Sequence, residues 1–278
     1  MTVFEFTWLV GIGAFVAGFL GSLTGLGGGV VIVPLLTLLF HVDIRYAVGA
    51  SLVSVIATSS GAAAAYVKEG YSNIRVGMFL EVATTTGALI GAFLASILPT
   101  SAIGVVFGIV LLWSAVASRK GGGDRPDDQP PDRLALLLRL DSTYPTAEGL
   151  KGYRVHSIPL GFGLMNLAGI LSGLLGIGSG ALKVIAMDKA MRLPFKVSTT
   201  TSNFMIGVTA AASAGVYLSR GYIDPGLSMP VMMGVLLGSL TGARILATAR
   251  SNVLRLVFGF VIGALGVEMI YNSLAGKL

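Results

Sequence analysis

The sequence predicts an all-α polytopic membrane protein, built from two inverted repeats of about five membrane segments each, with glycine-rich helix breaks at the midplane. Three observations predict it. Of the 278 residues, 54% are apolar and only 12% charged, with a mean hydropathy of +0.84, whereas a soluble domain carries about 25% charged residues to wet its surface. The apolar residues gather into runs near the length that crosses a bilayer, about 20 residues. The chain also aligns with itself.

In order along the chain, the apolar runs lie near 8–23, 30–40, 46–67, 76–98 and 101–117, then 158–175, 181–191, 199–218, 227–249 and 253–275. No Lys or Arg precedes the first run and Glu5 does, so it reads as a membrane segment and not a signal peptide. Between the two sets lies a polar stretch from Arg119 through Gly121-Gly122-Gly123 to Pro130-Pro131, with too few apolar groups to pack. It is expected to be disordered. Leu134 to Leu140, flanked by Arg133 and Arg139, is expected to lie as an amphipathic helix on the membrane surface. The resulting division is repeat 1 over 1–118, a cytoplasmic linker over 119–157 and repeat 2 over 158–278.

An ungapped offset of 151, the distance from Gly25 to Gly176, superimposes the halves. It pairs Gly18 with Gly169, Ser51 with Ser202, Tyr66 and Tyr71 with Tyr217 and Tyr222, and Gly87 and Gly91 with Gly238 and Gly242. Glycine matches are cheap in a chain with 39 glycines, but matched tyrosines in one register are not. This is an internal duplication. Charge decides its sense. With an odd number of crossings per repeat, the Lys and Arg other than Lys183 sort 15 to one side and 3 to the other; four crossings give about 11 against 7. The positive-inside rule therefore favours odd parity, hence inverted repeats, with the linker cytoplasmic and both termini outside. Secondary transporters share this plan, with the site at the midplane.

Composition excludes several chemistries. With no Cys there are no disulfides or thiolate ligands, and His41 and His156 leave little for a metal or a general base. No catalytic residue, metal site or cofactor is expected, and an intramembrane enzyme is disfavoured. The net charge of +6 is scattered over loops with no basic patch interleaved with aromatics, so nucleic acid is not an expected partner. The expected partners are a small anionic substrate and membrane lipid.

The densest local signal is Gly25-Leu26-Gly27-Gly28-Gly29 and its mate Gly176-Ile177-Gly178-Ser179-Gly180, each interrupting an apolar stretch. Broken backbone at membrane depth is tolerated only where protein buries it or a cavity hydrates it. A helix starting after such a break aims free N–H groups at it and so cradles an anion; close helix packing through small residues is the competing explanation. Lys183 follows three residues later inside an apolar stretch, where a cation costs on the order of 3 kcal/mol without a partner. It either binds the anion, snorkels, or pairs with Asp188. Thr200, Thr201, Ser202 and Asn203, with Ser51 in the first half, add hydrogen-bonding side chains suited to an oxyanion, or else bond their own helix backbone. Glu81 and Glu268 sit in apolar runs and are the proton-coupling candidates. Arg45 and Lys196, true repeat counterparts, either steer anions into the two mouths or anchor helix ends. The four repeat-matched tyrosines fit interfacial belts.

Gly25-x-Gly27-Gly28-Gly29 with Pro34-Leu35-Leu36, then Ala47-Val48-Gly49-Ala50-Ser51-Leu52, resembles the first-half signature of the TauE/SafE sulfite-exporter family, also called toluene sulfonate uptake permeases. Gly176-x-Gly178-Ser179-Gly180 to Lys183, then Met191-x-x-Pro194-x-Lys196-Val197 and Thr201-Ser202-Asn203-Phe204-Met205, is similar to one branch of it. Ser179 stands where the family usually has Gly. The resemblance covers nearly all of the chain apart from the linker. It implies a duplicated permease in the cytoplasmic membrane for sulfur-containing or organic anions, with both glycine runs and the following Thr-Ser segments near the site. The expected function is secondary transport of sulfite or an organosulfonate, coupled to protons or another ion. The alternatives are uptake of another small organic anion, or a non-transporting membrane interaction subunit that uses the linker as its contact.

Overall fold

A computed structural model describes residues 2–24, 28–68, 70–117, 132–146, 149–246 and 251–276. In chain order these form α1 (Val3–Thr24), α2 (Gly29–Pro34), α3 (Ile44–Lys68), α4 (Ile74–Ile97) and α5 (Thr100–Ala117). The middle segment follows: α6 (Arg133–Leu137), β1 (Ser142–Thr146) and β2 (Gly149–Tyr153). The second half is α7 (Ile158–Leu175), α8 (Gly180–Ile185), α9 (Phe195–Ser219), α10 (Pro225–Leu246) and α11 (Ser251–Leu274). The chain is a polytopic all-α membrane protein. Phe4–Gly21, Ile74–Ile97, Ile158–Leu175 and Pro225–Gly242 are long and apolar enough to cross a bilayer, and the outer faces of α1 and α4 present Phe4, Trp8, Ile12, Met78, Phe93 and Ile97 to lipid.

Helices α2 and α8 each run on into one π-helical turn, Leu35–Leu39 and Ala186–Ala190. Each composite helix rises about 16 Å at 1.5 Å per residue, half of the roughly 30 Å hydrocarbon core. Pro34 sits inside the first composite, but Ile185 holds the corresponding place in the second. The π turn therefore does not need the proline.

The two halves interlock. Helix α1 packs on α10, α4 on α7, α3 on α9 and α5 on α11, a pattern that exchange of the halves maps onto itself. Glycines set the register of the first two crossings. A Cβ on Gly18 would strike the backbone of Val235, and one on Gly169 would strike the backbone of its repeat counterpart, Thr84. Gly87 likewise meets Asn166 and Ile170, where Gly238 meets the equivalent Phe15 and Phe19. Helices α3 and α9, 25 residues each, fill the centre. Their low apolar content reflects contact with protein and not with lipid.

Loops gather at two ends. At one end, Asn73 donates through Nδ2 to Leu140 O at 2.9 Å, Arg75 to Arg139 O at 3.2 Å, and the His156 amide to Met191 O at 3.1 Å. At the other end, Arg45 donates to Ala95 O and Leu98 O at 3.1 and 2.9 Å, its guanidinium lies 5.8 Å from the Tyr222 ring, and Arg220 stands over Phe93.

The middle segment differs from the sequence expectation. The stretch expected to be disordered falls mostly on 118–131, outside the described residues. The expected helix over 134–140 ends at Leu137, and the chain turns into an antiparallel hairpin, Ser142 opposite Tyr153. Ala135, Leu140, Tyr144 and Val155 are buried in one cluster with Val76, Leu80, Met187 and Val197, so 132–157 is docked on the helices and is no bare connector. Asn73 Nδ2 also donates to the half-buried Tyr153 hydroxyl at 2.8 Å. Burial pushes the Tyr153 phenol up from its ordinary value, keeping it neutral in that bond.

Candidate functional site

The two helix breaks lie side by side in the core. A Cβ on Gly29 would stand 2.8 Å from Ser51 Oγ, 3.0 Å from Gly176 O and 3.1 Å from Val55. Gly176 ends α7 in the left-handed conformation, φ +67°, and Gly178 (φ +69°) and Ser179 (φ +49°) continue it. That succession turns the chain sharply enough to start α8 at once. Gly25 and Gly27 lie outside the described residues. Gly28 caps α2, accepting from the Val31 and Ile32 amides at 3.1 Å. In α8 the first intrahelical acceptor is Ser179 O, which takes the Lys183 amide at 3.0 Å. The amides before it in each helix have no intrahelical partner by construction. A cavity of about 10 Å³, the space of roughly one water, is lined by Val30 from α2, Ile177, Ser179, Gly180 and Leu182 from the second break, and Val110 and Ser114 from α5. Ser179 is 3% exposed and its hydroxyl is buried without a partner.

Most of the hydroxyl run is spent on the protein itself. Ser51 donates to Gly176 O at 2.8 Å and Ser202 to Gly180 O at 3.2 Å, so both brace the breaks. Thr200 bonds Lys196 O and Val197 O in its own helix, the backbone use weighed above. Thr201 accepts from the Asn73 amide at 3.0 Å, tying α9 to the start of α4. Asn203 is half-buried on α9.

Lys183 does not snorkel. It is fully buried, and its ammonium donates to Thr209 Oγ1 at 2.6 Å. Thr209 Oγ1 lies 2.7 Å from Glu81 Oε1, a bond in which only the hydroxyl can donate to an ionised carboxylate. Thr85 donates to the same oxygen at 3.1 Å, while Glu81 Oε2 is buried without a partner. Sequence reasoning named Lys183 and Glu81 separately and missed Thr209 and Thr85. The spacing of Thr85 four residues after Glu81 on one helix was a readable signal; Thr209 reaches Glu81 across 128 residues of chain and left none.

The remaining candidates fall elsewhere. Glu268 is exposed on α11 and stays outside this buried centre. Arg45 caps the end of α4 through two carbonyls, and the Lys196 ammonium stands 3.8 Å over the Tyr71 ring; both anchor helix ends. Tyr217 is no belt residue. It is 2% exposed and its hydroxyl donates to Gly173 O and Leu174 O near the end of α7. Among the described residues no group of His, Cys, Asp and Glu is placed to hold a metal ion.

Residues 10–269 match the family model described as sulfite exporter TauE/SafE. The chain belongs to the TauE/SafE family. Its relatives are named as transporters: the probable membrane transporter protein YunE of Bacillus subtilis (strain 168) is 27% identical over 97% of this chain and 99% of its own length. The probable membrane transporter protein YdhB of the same organism is 27% identical over 83% and 86%. The probable membrane transporter protein MJ0441 of Methanocaldococcus jannaschii is 24% identical over 96% and 97%. No solved structure matches the chain. This TauE/SafE protein is thus a multi-pass membrane transporter and not an enzyme. Its interlocked halves and paired breaks are the frame in which transport must be explained.

Proposed function

We propose that this TauE/SafE protein is a secondary transporter of a small sulfur oxyanion, sulfite or a small organosulfonate, across the cytoplasmic membrane. One observation carries the reading: the cavity where the two helix breaks meet, lined from the starts of both α2 and α8, with the buried Ser179 hydroxyl as one unpartnered donor among several. A hydroxyl and free helix-start amides donate to an oxyanion without any fixed negative charge nearby to repel it. Lys183, one turn into α8, supplies the balancing charge on a four-carbon stem that can turn from Thr209 to the anion. The cavity holds about one water, so either anion needs the breaks to part, and sulfite, the smaller, is the first substrate to test.

The inverted reading fits how the loops meet. Residues near 73–75, the hairpin and 191 share one end, and 45, 95–98 and 220–222 share the other. That is the grouping odd parity requires, with the basic-rich end cytoplasmic. A reporter active only in the periplasm, fused at Gly122 and after Leu278, is expected to be silent at the first site and active at the second.

The deciding experiment is uptake of labelled sulfite into proteoliposomes. Uptake above protein-free vesicles supports the reading; none, with folded protein in the membrane, rejects sulfite as substrate. Gly28 faces Val235 and Gly18, so the glycine to enlarge is Gly29, which faces Gly176 and Ser51: Gly29→Leu is expected to fill the space between the breaks and abolish uptake, while Ser179→Gly preserves it. Thermal stabilisation by sulfite separates site from scaffold. A Gly29→Leu protein with unchanged unliganded Tm and no ligand shift points to an anion held at the breaks. A lowered Tm with the shift retained assigns the glycine to packing.

A further inference from the structure

Among the described residues Glu81 is the buried carboxylate and Lys183 the buried ammonium, and one hydroxyl, that of Thr209, joins them. They arrive on different helices, α4 and α8, and a third, α9, places Thr209 between them. Their repeat counterparts at the offset of 151 are Met232, Ile32 and Thr58. The fold therefore stands at the equivalent place without any charge, so the pair is not required by the architecture.

We propose that Glu81, Thr209 and Lys183 form a one-proton exchange site that links anion binding to a proton. With no anion bound, the Glu81 carboxylate balances the Lys183 ammonium through the Thr209 hydroxyl. When a monoanion engages Lys183, Glu81 takes one proton from water at Oε2, the oxygen that has no partner. The charge of the buried centre is then unchanged: one ammonium balances one carboxylate before, and one anion after. Release of the anion returns Lys183 to Thr209 and expels the proton. The low-dielectric surroundings enforce the exchange, since an uncompensated charge there is costly.

Among the described residues nothing else titratable is placed to substitute. The charge acting on Glu81 is that of Lys183, and the reverse holds for Lys183. Helix α7, packed against α4, carries no ionisable side chain. On α9 the ionisable groups are Lys196 at the start, engaged with Tyr71, and Tyr217 near the end, bonded to α7. The π turn after α8 carries Asp188 and Lys189, and Arg75 on α4 is bonded to Arg139 of the docked middle segment.

The inference rests on the anion reading above, and its test has two arms read by infrared difference spectroscopy of the purified protein in lipid nanodiscs. The signal is the carbonyl stretch of a protonated carboxyl, assigned by its loss in Glu81→Gln. In the first arm no anion is added. Wild type at pH 7 is expected to lack the band, and Lys183→Met or Thr209→Val to show it, because Glu81 loses its counter-charge or its bridge. In the second arm sodium sulfite or methanesulfonate is titrated into wild type at pH 7. The band is expected to grow with occupancy, and the affinity for methanesulfonate, which unlike sulfite keeps one charge throughout this range, to rise about tenfold per pH unit lowered, the slope of one linked proton; in Glu81→Gln that methanesulfonate slope vanishes. Anion binding without the band, or a methanesulfonate slope that survives in Glu81→Gln, overturns the proposal. Absence of the band from both variants of the first arm overturns it as well. If neither anion binds wild type while the first arm succeeds, the anion reading fails and Glu81–Lys183 is a charge pair without coupling.

Discussion

The three positions recur at two symmetry-related places in the fold, each built from both halves, and only one place carries charge. At one, Lys183 and Thr209 of the second half and Glu81 of the first join α8, α9 and α4 through hydrogen bonds. At the other, Ile32 is fully buried on α2, and Thr58 on α3 bonds Ser54 O and Val55 O of its own helix, whereas Thr209, which also bonds Met205 O of its own helix, reaches Glu81 as well. The backbone frame is duplicated, but the chemistry is not. A symmetric scaffold therefore hosts an asymmetric centre, and a small anion bound there sits off the axis relating the halves.

The comparison breaks most severely at the crossings. Gly18→Leu and Gly169→Leu place a side chain on the backbone of Val235 and of Thr84. Both are expected to give no folded protein by size-exclusion chromatography in detergent, and equally so, since the frame is shared. A large effect in one half alone would deny the interlocked symmetry.

Next is the charge itself. Lys183→Ala leaves Glu81 buried and unbalanced, a loss of about 3–5 kcal/mol for a broken buried pair, seen as a lowered Tm; Lys183→Met with Glu81→Gln is expected to recover most of it. Ile32→Lys should cost on the order of 3 kcal/mol in the first half, and adding Met232→Glu should recover part of that if the frame alone positions the pair. No recovery would show that Thr58, bonded to its own helix, cannot replace Thr209.

A smaller effect is expected at Tyr217. Removing its hydroxyl by Tyr217→Phe gives up a buried bond to Gly173 O and Leu174 O, about 1 kcal/mol in thermal melting. The smallest is Ser179→Gly. It relieves a left-handed Ser and removes an unpartnered hydroxyl, so stability is expected to hold or rise by less than about 1 kcal/mol, with sulfite affinity changed only modestly. A large loss of affinity would promote the Ser179 hydroxyl from one donor among several to the main one.

Much of the frame could be read from the chain because repetition is a one-dimensional signal. The match of Gly18 with Gly169 and of Gly87 with Gly238 marks contacts that the structure makes in one register. The breaks and the misplaced Lys183 stood out for the same reason, as polar or flexible residues in apolar runs. What lies between helices stood out less. Thr209 is one hydroxyl among many on α9, and its role depends on Glu81 arriving from α4. The run from Thr200 to Asn203 misled by density: consecutive residues point around a helix, so Thr200 turns to its own backbone while Thr201 and Ser202 brace α4 and the break. The hairpin was missed because Ser142–Thr146 and Gly149–Tyr153 lack the apolar alternation of a buried sheet. Its few buried groups, such as Tyr144, dock against helices instead of a second strand layer.

The exchange of partners across the halves also bears on how the protein is made. Helix α4 finds α7 soon after the linker is synthesised, but α1 packs on α10 and must wait until the chain has been made through Leu246. Until then the first helix to emerge has α2 and lipid beside it, and the glycine-bearing face that meets α10 is uncovered. Assembly is thus completed within the bilayer and after most of the insertion. Residues 1–117 expressed alone would keep α2 beside α1 but lack α10, its main partner, whereas two half-chains made in the same cell carry between them all the surfaces needed to find each other.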